Sequence, residues 1–160
     1  MKKLLVSTMI TLLLVIVLTS TTFAAPTAAE RELLFKGSLQ AVETNQLNFP
    51  ILSVDAAGSG KATQLGRFTI HYQVEVNVLT LWGSGPTTLI AADGSRLFAE
   101  VSGQATQTGT PNVVTILATG TITGGTGRFA GASGSFTVER VLDQTTGVTS
   151  GTISGTIVLP

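Results

Sequence analysis

The sequence predicts an all-β protein: an antiparallel, closed β-barrel of seven or eight strands over residues 25–160, following an N-terminal signal peptide over residues 1–24. Three observations predict it. From residue 62 onward β-branched and aromatic residues alternate with polar ones, the period of a strand with one buried face. Gly, Pro or Asp-Gly interrupts these runs every 8 to 16 residues, the spacing of hairpin turns. Only 11% of residues are charged, and 18 Gly with abundant Thr stand where a helical protein would carry Glu, Lys, Ala and Leu.

The N-terminus sets the expected compartment. Lys2 and Lys3 precede an apolar stretch, Leu4 to Leu18, broken only by Ser7, Thr8 and Thr11. Small residues then lead to an expected cut after Ala24, with Ala29 as the fallback. An uncleaved anchor is the rival, but the uninterrupted apolar core is shorter than the roughly 20 residues a spanning helix needs. The expectation is a secreted or periplasmic bacterial protein with no stable membrane anchor after cleavage. Losing Lys2 and Lys3 from 9 basic and 9 acidic residues leaves 7 against 9. The remaining bases are dispersed rather than gathered on a stripe, so no nucleic-acid partner is expected.

Along the mature chain, Leu33 to Val42 reads as the first strand, and Phe49 to Val54 is ambiguous. Residues 55–64, Asp-Ala-Ala-Gly-Ser-Gly-Lys-Ala-Thr-Gln, read as a loose loop. The clearest strand is Phe68 to Val78, within Arg67 to Leu79. Phe68, Ile70, Tyr72, Val74, Val76 and Val78 share its inner face, and Thr69, His71, Gln73, Glu75 and Asn77 its outer one. Thr87 to Ala92 and Ser95 to Thr106 flank Asp93-Gly94, the signal of a two-residue type I′ hairpin. That register sets Ala92 against Ser95 and Leu89 against Phe98. It places Ile90, Leu97, Ala99 and Val101 inward and leaves Leu89 and Phe98 outward. Such a pair implies either a homo-oligomer contact or cover by the N-terminal segment. Val113 to Ile122, Ser135 to Leu142 and Val148 to Val158 complete the set, with Gly147 suited to a bulged hairpin loop.

This many strands must stack as a sandwich or close on themselves, because an open sheet exposes long edges. Hairpin connections favour a meandering barrel, and about eight strands leave an interior that side chains fill or that admits one small ligand. The chain has no Cys, which excludes disulfides, thiolate zinc sites, Cys nucleophiles and a lipidated cysteine. A metal would need carboxylates or the single His71; no metal and no cofactor is expected.

Gly124 to Gly134, Gly-Gly-Thr-Gly-Arg-Phe-Ala-Gly-Ala-Ser-Gly, superficially matches a dinucleotide fingerprint at Gly125, Gly127 and Ala130. That fingerprint needs a following helix, and an alternating strand follows instead. The glycines are read as a tight turn, with Phe129 plugging one barrel end. The segment resembles the G-G-T-G-x-F-x-G-A-x-G signature shared by the allene oxide cyclase and dirigent barrels of plants and by secreted bacterial proteins. The resemblance is sharpest over residues 120–140 and looser over about 65–158. It implies an eight-stranded calycin-like barrel, often oligomeric, and in the plant groups a hydrophobic guest inside. The matching residues are the turn glycines and Phe129, so no catalytic residue transfers.

His71 falls on the wet face, and no Gly-x-Ser-x-Gly elbow exists to support a triad. Arg140 continues the phase of Phe136 and Val138 and so points inward unless a bulge expels it; buried, it needs a carboxylate partner that the sequence does not name. Tyr72 and Trp82 read as core or rim packing. Two Gly-Arg-Phe copies, at Arg67-Phe68 and Arg128-Phe129, carry no functional inference. The lumen-lining candidates for a ligand are therefore Phe68, Ile70, Tyr72, Val74, Val76 and Arg140. The expected function is a non-catalytic module or a binder of a small apolar molecule. The alternatives are a cyclase-like or coupling-guiding barrel enzyme, and an adhesion module.

Overall fold

The structure, a computed structural model, describes residues 30–160; the expected signal peptide lies outside them. Eight strands form one closed antiparallel barrel: β1 Arg31–Asn48, β2 Ile51–Ala62, β3 Gly66–Asn77, β4 Trp82–Ala91, β5 Arg96–Gln107, β6 Val113–Gly125, β7 Ser133–Asp143 and β8 Val148–Leu159. Each strand pairs with its neighbours in sequence, and β8 returns to β1 to seal the wall. Among the described residues the one helical element is a single 3₁₀ turn, Gly127–Phe129.

The expected loop at residues 55–64 is strand through Ala62, the body of β2, and turns only at Thr63 and Gln64. Its inward positions are Ala56, Gly58, Gly60 and Ala62, which lack the bulk that marks a strand in sequence. They are small because the neighbouring strands fill the space: a Cβ at Gly60 would overlap the Phe68 ring, and one at Gly120 the Phe136 ring. Context in the closed ladder, rather than propensity, makes β2 a strand. Val78, expected to end the inner face of β3, lies in the following turn.

The β4–β5 hairpin departs from its expected register by one residue. Gly94 has φ +83 as required, but the loop is Ala92-Asp93-Gly94, closed by the Ala91 N–H donating to the Ser95 carbonyl at 2.9 Å. A three-residue loop ending in a left-handed glycine is the next commonest hairpin solution. Leu89 therefore pairs with Leu97, and Ile90 with Arg96. A one-residue slip exchanges the faces of a strand: Leu89 is fully buried in the core and Ile90 faces out. Phe98 does face outward, half-buried beside Thr88, so the expected Leu89–Phe98 surface pair does not exist. Gly147, at φ +70, occupies the β7–β8 turn as expected.

Inside, the two barrel ends differ. At the end holding the β2–β3, β4–β5 and β6–β7 turns, Phe35, Leu65, Leu97, Phe129 and Ile157 are almost wholly buried. Phe35 and Phe136 pack edge to face at 5.4 Å, the preferred aromatic geometry. Arg128 clips these turns together: it lies 4.9 Å over the Phe129 ring, donates to the Leu65 carbonyl at 3.1 Å and meets Asp93 at 3.2 Å. We call this the closed end. At the other end, the mouth, the inward positions are small or aliphatic: Val76, Gly83, Val101, Gly103, Ala105 and Ile116.

Candidate functional site

Between closed end and mouth, four strands bring polar side chains to one level of an otherwise apolar lumen. Period-2 alternation places each of them. Glu43 follows Leu39 and Ala41 on β1, Tyr72 follows Phe68 and Ile70 on β3, and Arg140 follows Phe136 and Val138 on β7. Thr149 precedes Ile153 on β8.

The groups interlock. Arg140 Nη1 forms an ion pair with Glu43 Oε1 and also donates to Tyr72 Oη at 3.0 Å and Thr149 Oγ1 at 3.2 Å. The Tyr72 hydroxyl donates to Glu43 Oε1 at 2.7 Å, and that of Thr149 donates to the Val141 carbonyl at 2.9 Å. The guanidinium also lies 5.1 Å over the Tyr72 ring. Only 3% of the Glu43 side chain and 14% of that of Arg140 are exposed, so each charge has the partner that a buried ion requires. Burial drives the Tyr72 hydroxyl well above the usual phenol range; Glu43 adds to the effect, and Arg140 opposes it. Tyr72 is thus a standing hydrogen-bond donor rather than a base or nucleophile.

The guanidinium has donors left over. Among the described residues, Nη2 and Nε of Arg140 donate to no protein atom. Among the described residues no buried side-chain nitrogen or oxygen lacks a partner, so these two nitrogens border open space. Arg140 stands where two small cavities adjoin. The deeper, about 50 Å³, is lined by Ile70, Tyr72, Val74 and Val138 among others. The outer, about 70 Å³, is lined by Val76, Leu81, Gly83 and Ile116 and leads to the mouth. Val74, Val101, Ala118 and Arg140 belong to both. Larger concavities, about 800 and 720 Å³, lie on the outer wall across β1 to β4. They are open troughs over short side chains such as Ser53 and Ser59, and among the described residues that line them no charged side chain is buried.

All six expected lumen residues point inward. Ile70, Tyr72, Val74, Val76 and Arg140 line the cavities, whereas Phe68 is packed over Gly60 in the filled half and lines neither. Two members of the cluster, Glu43 and Thr149, were not expected. Glu43 occupies the next inward position after Ala41, one residue past the Val42 at which the first strand was expected to stop. His71 is exposed on the outer wall and Trp82 is half-exposed at the mouth. Among the described residues no three His, Asp or Glu side chains gather. Comparison with protein-family models, with curated proteins and with solved structures finds no match for this chain.

Proposed function

We propose that this chain is a non-catalytic binding barrel whose lumen takes a small, uncharged, partly apolar guest. The observation that carries this reading is Arg140 at the junction of two apolar cavities with Nη2 and Nε donating to no atom among the described residues. A guest with one carbonyl or hydroxyl oxygen satisfies them, and its apolar part lies along Val74, Val101 and Ala118. An anion fits less well, because Glu43 already neutralises Arg140 and the extra charge would be buried without a partner. Cavities of about 50 and 70 Å³ have room for about two waters each, hence a guest of roughly four non-hydrogen atoms. At a ceiling of about 1.5 kcal/mol per atom, such a guest binds no tighter than about tens of micromolar.

The same arrangement argues against chemistry on the guest. Tyr72 holds its proton and already donates it to Glu43, and Glu43 is committed to Arg140, so no group is poised to exchange protons. The outer wall of Ser, Thr, Gln and charged side chains supports a barrel working in water; a membrane-spanning barrel carries the reverse pattern. Together with the signal-like segment over residues 1–24, this supports a secreted or periplasmic setting.

The test is an NMR titration of labelled protein with 2-butanone. Saturable shifts of the Arg140 Nε–H and of the Val74 and Val101 amides are expected, and Val101→Phe, which fills the lumen, should abolish them. Shifts that stay linear up to about 50 mM, about a thousandfold above that limit, would overturn the reading. They would favour a second one, suggested by the aromatic-filled closed end: a solid structural module whose ion pair serves only the fold.

A further inference from the structure

A closed barrel has no strand edges, yet one edge here is open. β8 pairs with β1 only as far as Val42, and the Glu43 N–H makes the last link, donating to the Gly147 carbonyl at 2.8 Å. β1 runs on to Asn48, paired on its other side with β2 through Asn48–Ile51. Residues 44–48 therefore project beyond the β8 side of the wall, and all five are exposed. Because the Glu43 N–H points toward β8, strand alternation turns the main-chain N–H and C=O of Asn45 and Leu47 the same way, onto an edge with no partner among the described residues.

Natural proteins guard such edges with Lys, Pro or a bulge. None interrupts Thr44-Asn45-Gln46-Leu47-Asn48, and the stretch carries no charge. Apolar side chains flank it: Leu47 and Phe49 are 59% and 69% exposed, and Val42 and Val148, which pair across the β1–β8 seam, are 54% and 46% exposed.

We propose that Thr44–Asn48 is a docking edge for a second copy of this chain, the two edges pairing antiparallel about a two-fold axis centred on Gln46. The register follows from which groups are free. Asn45 of each copy exchanges both main-chain hydrogen bonds with Leu47 of the other, giving four bonds around a Gln46–Gln46 pair. In the same register the Phe49 tip of one copy, where its chain turns into β2, comes level with Glu43 of the other, beside the Gly147 turn at which β8 begins. No charged side chain lies in the paired stretch, so no like charges face each other across the axis. Such a contact is self-complementary, as a two-fold interface requires. It sits at the small end of the interface size range, so the dimer forms and dissociates with concentration.

Sedimentation equilibrium over a wide concentration range tests this. The wild type should pass from monomer to dimer mass. Gln46→Lys, an exposed change that sets two like charges at the axis, should stay monomeric with an unchanged circular dichroism spectrum. Gln46→Asp alone should also stay monomeric, while an equimolar mixture of the Lys and Asp variants should recover the dimer. Thr121→Lys, on the remote outer face of β6, should dimerise like the wild type. A wild type that is monomeric throughout, or a dimer that Gln46→Lys leaves intact, overturns the proposal.

Discussion

The closed end and the mouth are made from the same eight strands, yet they handle the interior differently. At the closed end, large aromatic residues fill the lumen and oppose glycines that make room for them, as Phe136 opposes Gly120 and Phe68 opposes Gly60. Toward the mouth the inward residues are small, two voids remain beside Arg140, and a buried ion pair joins β7 to β1 across β8. Stability rests on the first region, where removing atoms leaves cavities. The proposed recognition draws on the second, where space lies beside Arg140 nitrogens that bond no atom among the described residues.

The sharpest way to break this contrast is to open the filled end. Phe136→Ala should cost about 3–5 kcal/mol, because its ring packs on Phe35 and over Gly120 and the strands cannot collapse into the gap. Urea denaturation measures it; a loss near that of an exposed substitution would mean that this end is not tightly packed. At the mouth, Arg140→Met alone should cost about 3 kcal/mol by leaving Glu43 buried without a cation, whereas the double variant Glu43→Leu/Arg140→Met should regain most of that loss. If the double variant is as unstable as the single, the ion pair is a structural necessity and the two ends are less distinct than they look.

The smallest expected effect concerns turn carboxylates, one at each end. Asp93 is held below its ordinary 3.8, chiefly by the Ser95 backbone N–H, with Arg128 adding to the effect. Asp143 is lowered chiefly by the Thr145 backbone N–H. A depressed pKa in the folded state gives stability that is present above the unfolded value and is lost as pH falls through the folded one. The stability difference between the wild type and either Asp→Asn variant should therefore shrink as acid is added below 3.8. Salt should weaken only the Asp93 effect, since only Asp93 faces a cation. Denaturation curves across that pH range, with and without added salt, check both statements.

Much of the barrel was legible in the sequence, because alternation reports a strand whenever its inner face is bulky. β3 shows this best, since Phe68, Ile70 and Tyr72 mark the buried side directly. β2 was illegible for the complementary reason: its inner face is Ala and Gly, kept small by Phe68 and Ala41, and that information lies in neighbouring strands. The β4–β5 register turned on whether Asp93-Gly94 forms a two- or three-residue loop, a local choice settled by packing Leu89 rather than Ile90 into the core. Arg140 was found by phase alone. Its partner was missed because the first strand was expected to end at Val42, although Glu43 holds the same phase as Ala41 and β1 runs on to Asn48.

The seam between β1 and β8 has a kinetic corollary. The first strand of the barrel waits for the last before either has its full set of neighbours, so the pairing that seals the wall spans nearly the entire described chain. Contacts this remote in sequence slow folding. A polypeptide emerging from the ribosome or a translocon therefore passes through a stage in which seven strands exist but the wall is still unsealed. Such a chain is vulnerable to sticking and cleavage until β8 arrives.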